Sequence, residues 1–95
     1  KMKPTAYLIN TSRGELVNEQ DLLEAVNSNR LQGAALDVFT KEPPGADHPL
    51  LRNPRILVTP HCASHTDGAT QNMGRMAMQE CLSVLRGEVP RYLVK

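Results

Sequence analysis

Residues 6–38 read AYLINTSRGELVNEQDLLEAVNSNRLQGAALDV, and this stretch decides the fold. Ala6 to Ile9 is a short, wholly apolar run, bounded by Pro4 on one side and Asn10-Thr11-Ser12 on the other. That pattern predicts a strand buried on both faces, as in a parallel sheet. Asn18 has the character of an N-cap. Glu19, Gln20 and Asp21 follow it into a first turn, where negative charge suits the helix dipole. Leu22, Leu23, Val26 and Leu31 supply an apolar stripe, and Asn29 or Gly33 is placed to end the helix. Ala34 opens a second buried strand that reaches about Val38. Strand, helix and strand in close succession make a βαβ unit, whose two strands run parallel with a right-handed crossover.

Working outward, the chain changes character between Phe39 and Arg55. Pro43, Pro44, Gly45, Pro49 and Pro54 forbid a long helix and mark an ordered loop. Ile56, Leu57 and Val58 form a third buried strand, which Pro60 stops. From about Thr66 to Arg86 the pattern is helical, with Met73, Met76, Ala77, Glu80, Cys81, Val84 and Leu85 mostly on one face. Gly87 fits the position just past the helix end. The expected fold class is α/β. Three strands and two helices are too few for a complete twisted sheet, so the remaining strands are expected from sequence outside these 95 residues or from a partner chain.

Composition narrows the function. Apolar residues at 40% and charged residues at 22% are ordinary for a soluble domain. A net charge of +1 supplies no field to draw in nucleic acid or anionic lipid, and aromatics at 3% are too few for a base-stacking platform. No apolar run approaches the roughly 20 residues that span a bilayer. The N-terminus has no signal-peptide core. Cys62 and Cys81 are too few for a disulfide-stapled miniprotein, which predicts a reduced, cytoplasmic protein. Neither a nucleic acid nor a membrane is an expected partner.

Each apolar strand hands over at its carboxyl end to polar residues that no core needs. The first is followed by Asn10-Thr11-Ser12-Arg13-Gly14, the second by Asp37 and then Glu42, the third by Thr59-Pro60-His61. In open parallel sheets, ligands bind just beyond the carboxyl ends of the strands. Arg13, Asp37, Glu42 and His61 are thereby expected to converge on one edge. An Arg guanidinium holds a carboxylate bidentately. A His moves a proton near neutral pH, and a carboxylate on its far ring nitrogen orients it. Such a set handles a proton on an oxygen next to a carboxylate and requires no Ser or Cys nucleophile. Singly, each residue also reads as ordinary structure: a solvated loop charge, a turn Asp, an exposed Glu, a satisfied His. Their occurrence together at three strand ends favours the site.

Several ordered blocks carry a family resemblance. Ile9 to Gly14 with Val17-Asn18-Glu19, Gly33 to Phe39 with Glu42-Pro43, His48-Pro49-Leu50-Leu51, and Thr59 to Ser64 resemble the D-isomer-specific 2-hydroxyacid dehydrogenases. The resemblance covers essentially the whole chain. It implies the C-terminal part of a Rossmann-type NAD(P)-binding domain over residues 1–95, with residues 66–86 as the closing helix. The Gly-rich dinucleotide loop and the substrate domain would lie upstream, and no G-x-G-x-x-G occurs in these residues. The resemblance implies Arg13, Glu42 and His61 as catalytic residues: Arg13 on the substrate carboxylate, His61 as acid/base, Glu42 paired with it. It also implies a cofactor, NAD or NADP, held by Thr11, Ser12, Arg13, Asp37, His61, Cys62, Ala63 and Ser64, with Asp37 accepting from the nicotinamide carboxamide. The substrate would be a small 2-keto or 2-hydroxy acid, and the full-length protein a homodimer. Glu at position 42 favours a ketoacid reductase over the related formate dehydrogenases, which carry Gln in the matching place. Cys62 departs from the family's usual aliphatic residue, with little effect expected from a small thiol.

Three other readings stay open beside this one. A metal site from His61, Cys62, His65 and Cys81 matches no standard zinc spacing, and no metal is expected. The C-terminal-binding-protein corepressors share the fold with similar Arg, Glu and His positions, and turnover of a ketoacid separates the two. Finally, the 95 residues alone could be an inactive fragment that folds by exchanging strands across open sheet edges.

Overall fold

The computed structural model describes residues 2–93 in two compact units, divided between Ala63 and Ser64. The first unit holds β1 (Tyr7–Asn10), α1 (Glu19–Asn27), β2 (Gly33–Leu36) and β3 (Ile56–Val58), with a single 3-10 turn at Gly14–Leu16. The strands form one sheet in the order β1-β2-β3, and both pairings are parallel, as the βαβ pattern predicts. The register sets Asn10, Leu36 and Val58 abreast. All three strands therefore end at the same rim, and Thr11, Asp37 and Thr59 leave it side by side. Two backbone bonds carry the alignment one residue further, from Asp37 N–H to Asn10 O at 2.9 Å and from Thr59 N–H to Leu36 O at 3.0 Å.

Local chemistry explains the helix. The Asn18 side chain accepts from the amides of Gln20 and Asp21, satisfying two of the donors a helix start leaves free. The far end closes as a Schellman turn, with Arg30 N–H on Ala25 O and Asn29 N–H on Val26 O. Asn29 sits at φ 58°, the left-handed position such a turn requires. Of the two residues placed to end the helix, Asn29 is the one that does so. Gly33 instead opens β2, where an added Cβ would crowd the Arg55 carbonyl of the neighbouring strand approach.

Leu22 and Val26 of α1 pack on the sheet together with Leu31, Leu36, Phe39, Leu50 and Ile56, and Val26 and Leu50 are fully enclosed. Burying a side chain of that size contributes about 1.5–3 kcal/mol relative to exposing it. The expectation that β1 and β3 are buried on both faces is corrected. Tyr7, Ile9 and Leu57 are exposed, at 63%, 71% and 67%. The cause is that α1 covers one face of the sheet, and no second layer lies on the other within this unit among the described residues. β2 also ends its ladder at Leu36, two residues short of Val38, although Val38 itself is buried.

The second unit is α2 (Asp67–Leu85) with its flanks. Thr66 caps its start by accepting from Ala69 N–H. Gly87, at φ 78°, ends it in a second Schellman turn, with Gly87 N–H on Val84 O and Glu88 N–H on Ser83 O. Met73, Met76, Val84 and Leu85, apolar residues that the spacing puts mostly on one helix face, are all exposed, and no residue of α2 is buried.

Candidate active site

The rim where the strands end is where the polar residues of the sequence gather. Asn10, 6% exposed, closes β1 and organises the turn after it. Its Oδ1 accepts from Ser12 N–H, and its Nδ2 donates to Arg13 O at 2.8 Å. This Asx turn fixes the Thr11–Arg13 corner and leaves all three of those residues exposed. The Arg13 guanidinium donates to Ser12 O at 2.7 Å through one nitrogen, so the rest of the fork faces outward.

Asp37 follows β2 and is 3% exposed. Its Oδ1 accepts from the Thr59 hydroxyl and from Cys62 N–H, and its Oδ2 accepts from Ala63 N–H at 2.8 Å. These bonds, the Thr59 hydroxyl first and then the two amides, lower its pKa from 3.8 to about 2 against the opposing cost of burial. The carboxylate thus ties down the segment that carries His61. That residue needs the support, because it is a non-glycine residue at φ 52°.

Glu42 lies on the loop after β2. Its Oε1 accepts from Phe39 N–H at 3.0 Å, and its Oε2 is 2.6 Å from His61 Nδ1. An ionised carboxylate only accepts, so Nδ1 carries a proton and Nε2 is the nitrogen left for a ligand. Among the described residues Nε2 has no hydrogen-bond partner. The bond to His61, then that to Phe39 N–H, then the nearby charges of His61 and Arg13 lower the pKa of Glu42. Arg13 bonds to neither residue and acts on Glu42 through its charge alone. Glu42, His61 and Asp37 border one cavity of about 620 Å³, walled mainly by Phe39, Pro43, Leu51 and Val58.

The structure thus brings Asp37, Glu42 and His61 together, with Thr11, Ser12 and Arg13 on the neighbouring corner of the rim. Cys62 and Ala63 contribute backbone amides to Asp37, while Ser64 begins the second unit. Among the described residues, no three His, Cys, Asp or Glu side chains cluster so as to hold a metal. Asn10 is the contributor to this corner to which the sequence pattern gave no role of its own, and its local signal is an Asn at a strand end followed by Thr-Ser.

The pKa of Asp37 gives a pH dependence of defined sign. A carboxyl lowered in the folded state stabilises it fully above the ordinary pKa, and that contribution is lost as pH falls through the folded value. Acidification from about 3.8 to about 2 is therefore expected to release the segment from Thr59 to Ala63. The Cys62 and Ala63 amide resonances should move in that interval, and Asp37→Asn should abolish the step. Resonances that stay constant down to about pH 2 would contradict this bonding.

The family model described as D-isomer specific 2-hydroxyacid dehydrogenase, NAD binding domain, matches residues 1–63. The chain belongs to this family. It is 46% identical over 94 residues to a glyoxylate reductase of Thermofilum pendens, covering 99% of this chain and 28% of that protein. It is 45% identical to glyoxylate/hydroxypyruvate reductase B of Pectobacterium carotovorum, covering 99% and 29%. Among solved structures, a D-isomer specific 2-hydroxyacid dehydrogenase of Xanthobacter autotrophicus in complex with NADPH and MES superposes with a TM-score of 0.80 at 31% identity, covering 99% of this chain and 38% of that one. A probable 2-hydroxyacid dehydrogenase of Rhizobium etli in complex with NADP, HEPES and L(+)-tartaric acid gives 0.73 at 32%, covering 96% and 28%. The chain spans less than a third of the length of the two curated relatives. The parallel sheet is that of the family's Rossmann-type NAD-binding domain, the α/β class read from the sequence.

Proposed function

We propose that the protein containing this chain is an NAD(P)-dependent D-2-hydroxyacid dehydrogenase that reduces small 2-keto acids, with residues 1–95 as the C-terminal part of its nucleotide-binding domain. The observation that carries the proposal is the 2.6 Å pair of Glu42 Oε2 and His61 Nδ1 at the carboxyl rim of a parallel sheet, in a chain of this family. The named activities of the curated relatives, glyoxylate and hydroxypyruvate reduction, support the substrate class.

The donor set fits a nicotinamide. A carboxamide needs acceptors for its N–H groups, and Asp37 Oδ2, with one bond made, keeps capacity for another. Thr11, Ser12 and Arg13 on one corner and Cys62 and Ala63 on the other would hold the rest of that end of the cofactor. When bound, the nicotinamide supplies or accepts hydride. His61 does the complementary work with protons. Its Nε2–H donates to the keto oxygen during reduction and recovers that proton on oxidation. Glu42 fixes the ring through Nδ1 and balances its positive charge in the protonated form. Arg13 anchors the substrate carboxylate through the two-pronged face of its guanidinium, which orients the carbonyl beside His61.

The same reading carries a homodimer for the full-length protein and a reduced cytoplasmic location. The first is what the resemblance to the family implies, and a cysteine count of two favours the second. No helix of the described residues is long and apolar enough to cross a membrane.

The test is turnover of the full protein against a panel of 2-keto acids with NADH and NADPH. Oxidation of either cofactor dependent on a keto acid is expected. Cofactor binding without turnover of any keto acid would instead support the corepressor-like reading. Arg13→Lys in the same assay should lower kcat/KM mainly by raising KM for the keto acid, because an ammonium cannot reproduce the bidentate contact. An unchanged kcat/KM would remove Arg13 from the site.

A further inference from the structure

Glu19 and His48 have no part in the chemistry above, yet both bear on the loop that presents Glu42. Glu19 is the first residue of α1, and its side chain is 24% exposed. Its Oε1 accepts from Thr40 N–H at 2.8 Å, across 21 residues of sequence. Its Oε2 lies 3.3 Å from His48 Nε2. His48 in turn accepts from Leu50 N–H through Nδ1, at 3.4 Å, and stands edge-on to Phe39 with ring centroids 5.4 Å apart. With Nδ1 accepting, Nε2 carries the proton that points to Glu19. One carboxylate therefore grips the loop at Thr40 and again at His48, on either side of Glu42. The two peptides at the start of the loop are shared between the two carboxylates: Phe39 N–H goes to Glu42, and Thr40 N–H to Glu19. Gly14, next to Arg13, adds a third constraint. Its bare Cα faces the Phe39–Thr40 peptide so closely that a Cβ would overlap it.

We propose that Glu19 and His48 are positioning residues, which hold the Phe39–Thr40 peptide and through it set the Glu42 carboxylate on His61 Nδ1. This rests on the functional reading given above. A role in positioning differs from a role in stability alone, because it makes the Glu42–His61 bond depend on a carboxylate that touches neither partner. Misplacing a catalytic group by about 1 Å from a distance costs as much as 10²-fold in rate. A neutral acceptor at position 19 keeps the Thr40 bond, so Gln should restore much of what Ala removes.

The experiment uses the full protein with Glu19→Ala and Glu19→Gln, and reads three quantities. The first is the NMR resonance of the His61 Nδ1 proton, which the Glu42 bond holds downfield and protects from exchange. The second is kcat and KM for the keto acid, and the third is the thermal midpoint. Glu19→Ala should shift or abolish the Nδ1 resonance and lower kcat roughly 10- to 100-fold, with KM changed much less. Glu19→Gln should recover most of both. If Glu19→Ala fails to fold, His48→Gln, which leaves Thr40 bound, should show the same resonance shift to a smaller degree. A lowered thermal midpoint with the Nδ1 resonance and kcat of the parent would overturn the proposal and leave Glu19 a structural residue. Absence of any keto-acid turnover in the parent would refute the functional reading alone, since the resonance is read without catalysis.

Discussion

Replacing His61 with alanine is expected to lower kcat of the full protein by about 10²–10⁴-fold, the range for losing a positioned proton donor. The geometry explains why a loss of that size belongs to this residue. Glu42 occupies Nδ1 at 2.6 Å, so the imidazole is fixed and its other nitrogen is left for the substrate oxygen. No neighbour can take over, because the three donors on Asp37 hold it ionised, with no proton to give at neutral pH. Glu42 itself is kept ionised by the imidazole and by Phe39 N–H. The alanine variant loses one of the residues set on the cofactor but should keep most of its affinity, since Thr11–Arg13 and the Asp37 bonds to Cys62 and Ala63 do not involve the imidazole. Steady-state kinetics beside a cofactor titration measure both halves. Near-normal kcat with intact binding would exclude His61 as the acid/base.

Gly14→Ala is the second large effect, expected to depress stability and activity together. The Gly14 Cα packs against backbone, the Phe39 carbonyl carbon and the Thr40 nitrogen, so the intruding methyl cannot be relieved by turning a side chain. Overpacking ordinarily costs about 1–3 kcal/mol, and backbone neighbours place this case towards the upper end. The peptide displaced donates to Glu19 through Thr40 N–H and adjoins the one whose Phe39 N–H donates to Glu42. The relaxed structure is therefore expected to lose much of its kcat even below its thermal transition. Gly45→Ala provides the comparison, because a Cβ there meets nothing within 4 Å. Equal thermal midpoints and rates for the two variants would show that the contact at Gly14 yields easily.

The contrast between these residues marks what the sequence made legible. Ala6–Ile9, Ala34–Leu36 and Ile56–Val58 stood out because a short apolar run between turn residues has few conformations open to it. Asn18 and Gly87 are legible for a similar reason, since a cap acts within three or four residues. The rim followed from topology, because parallel strands must end on one side. The open face of β1 was not legible. Tyr7 and Ile9 are as apolar as any core residue, and their exposure depends on which layers are present rather than on the run itself. The left-handed backbone of His61 was equally hidden, because Asp37, far upstream in sequence, supports it through the two amides after the imidazole. Glu19 illustrates the same limit. Its first-turn position fully accounts for an acidic residue by the helix dipole, and nothing local announces a bond to Thr40.

The most direct test of the mechanism tracks the hydrogens. NADH or NADPH, deuterated at the transferable C4 position, is turned over with a 2-keto acid by the full protein and by its His61→Ala variant. The mechanism predicts deuterium on C2 of the hydroxy acid product, formed by the parent at a rate about 10²–10⁴-fold above the variant. A hydroxy acid without deuterium at C2, or equal rates from the two proteins, would contradict it.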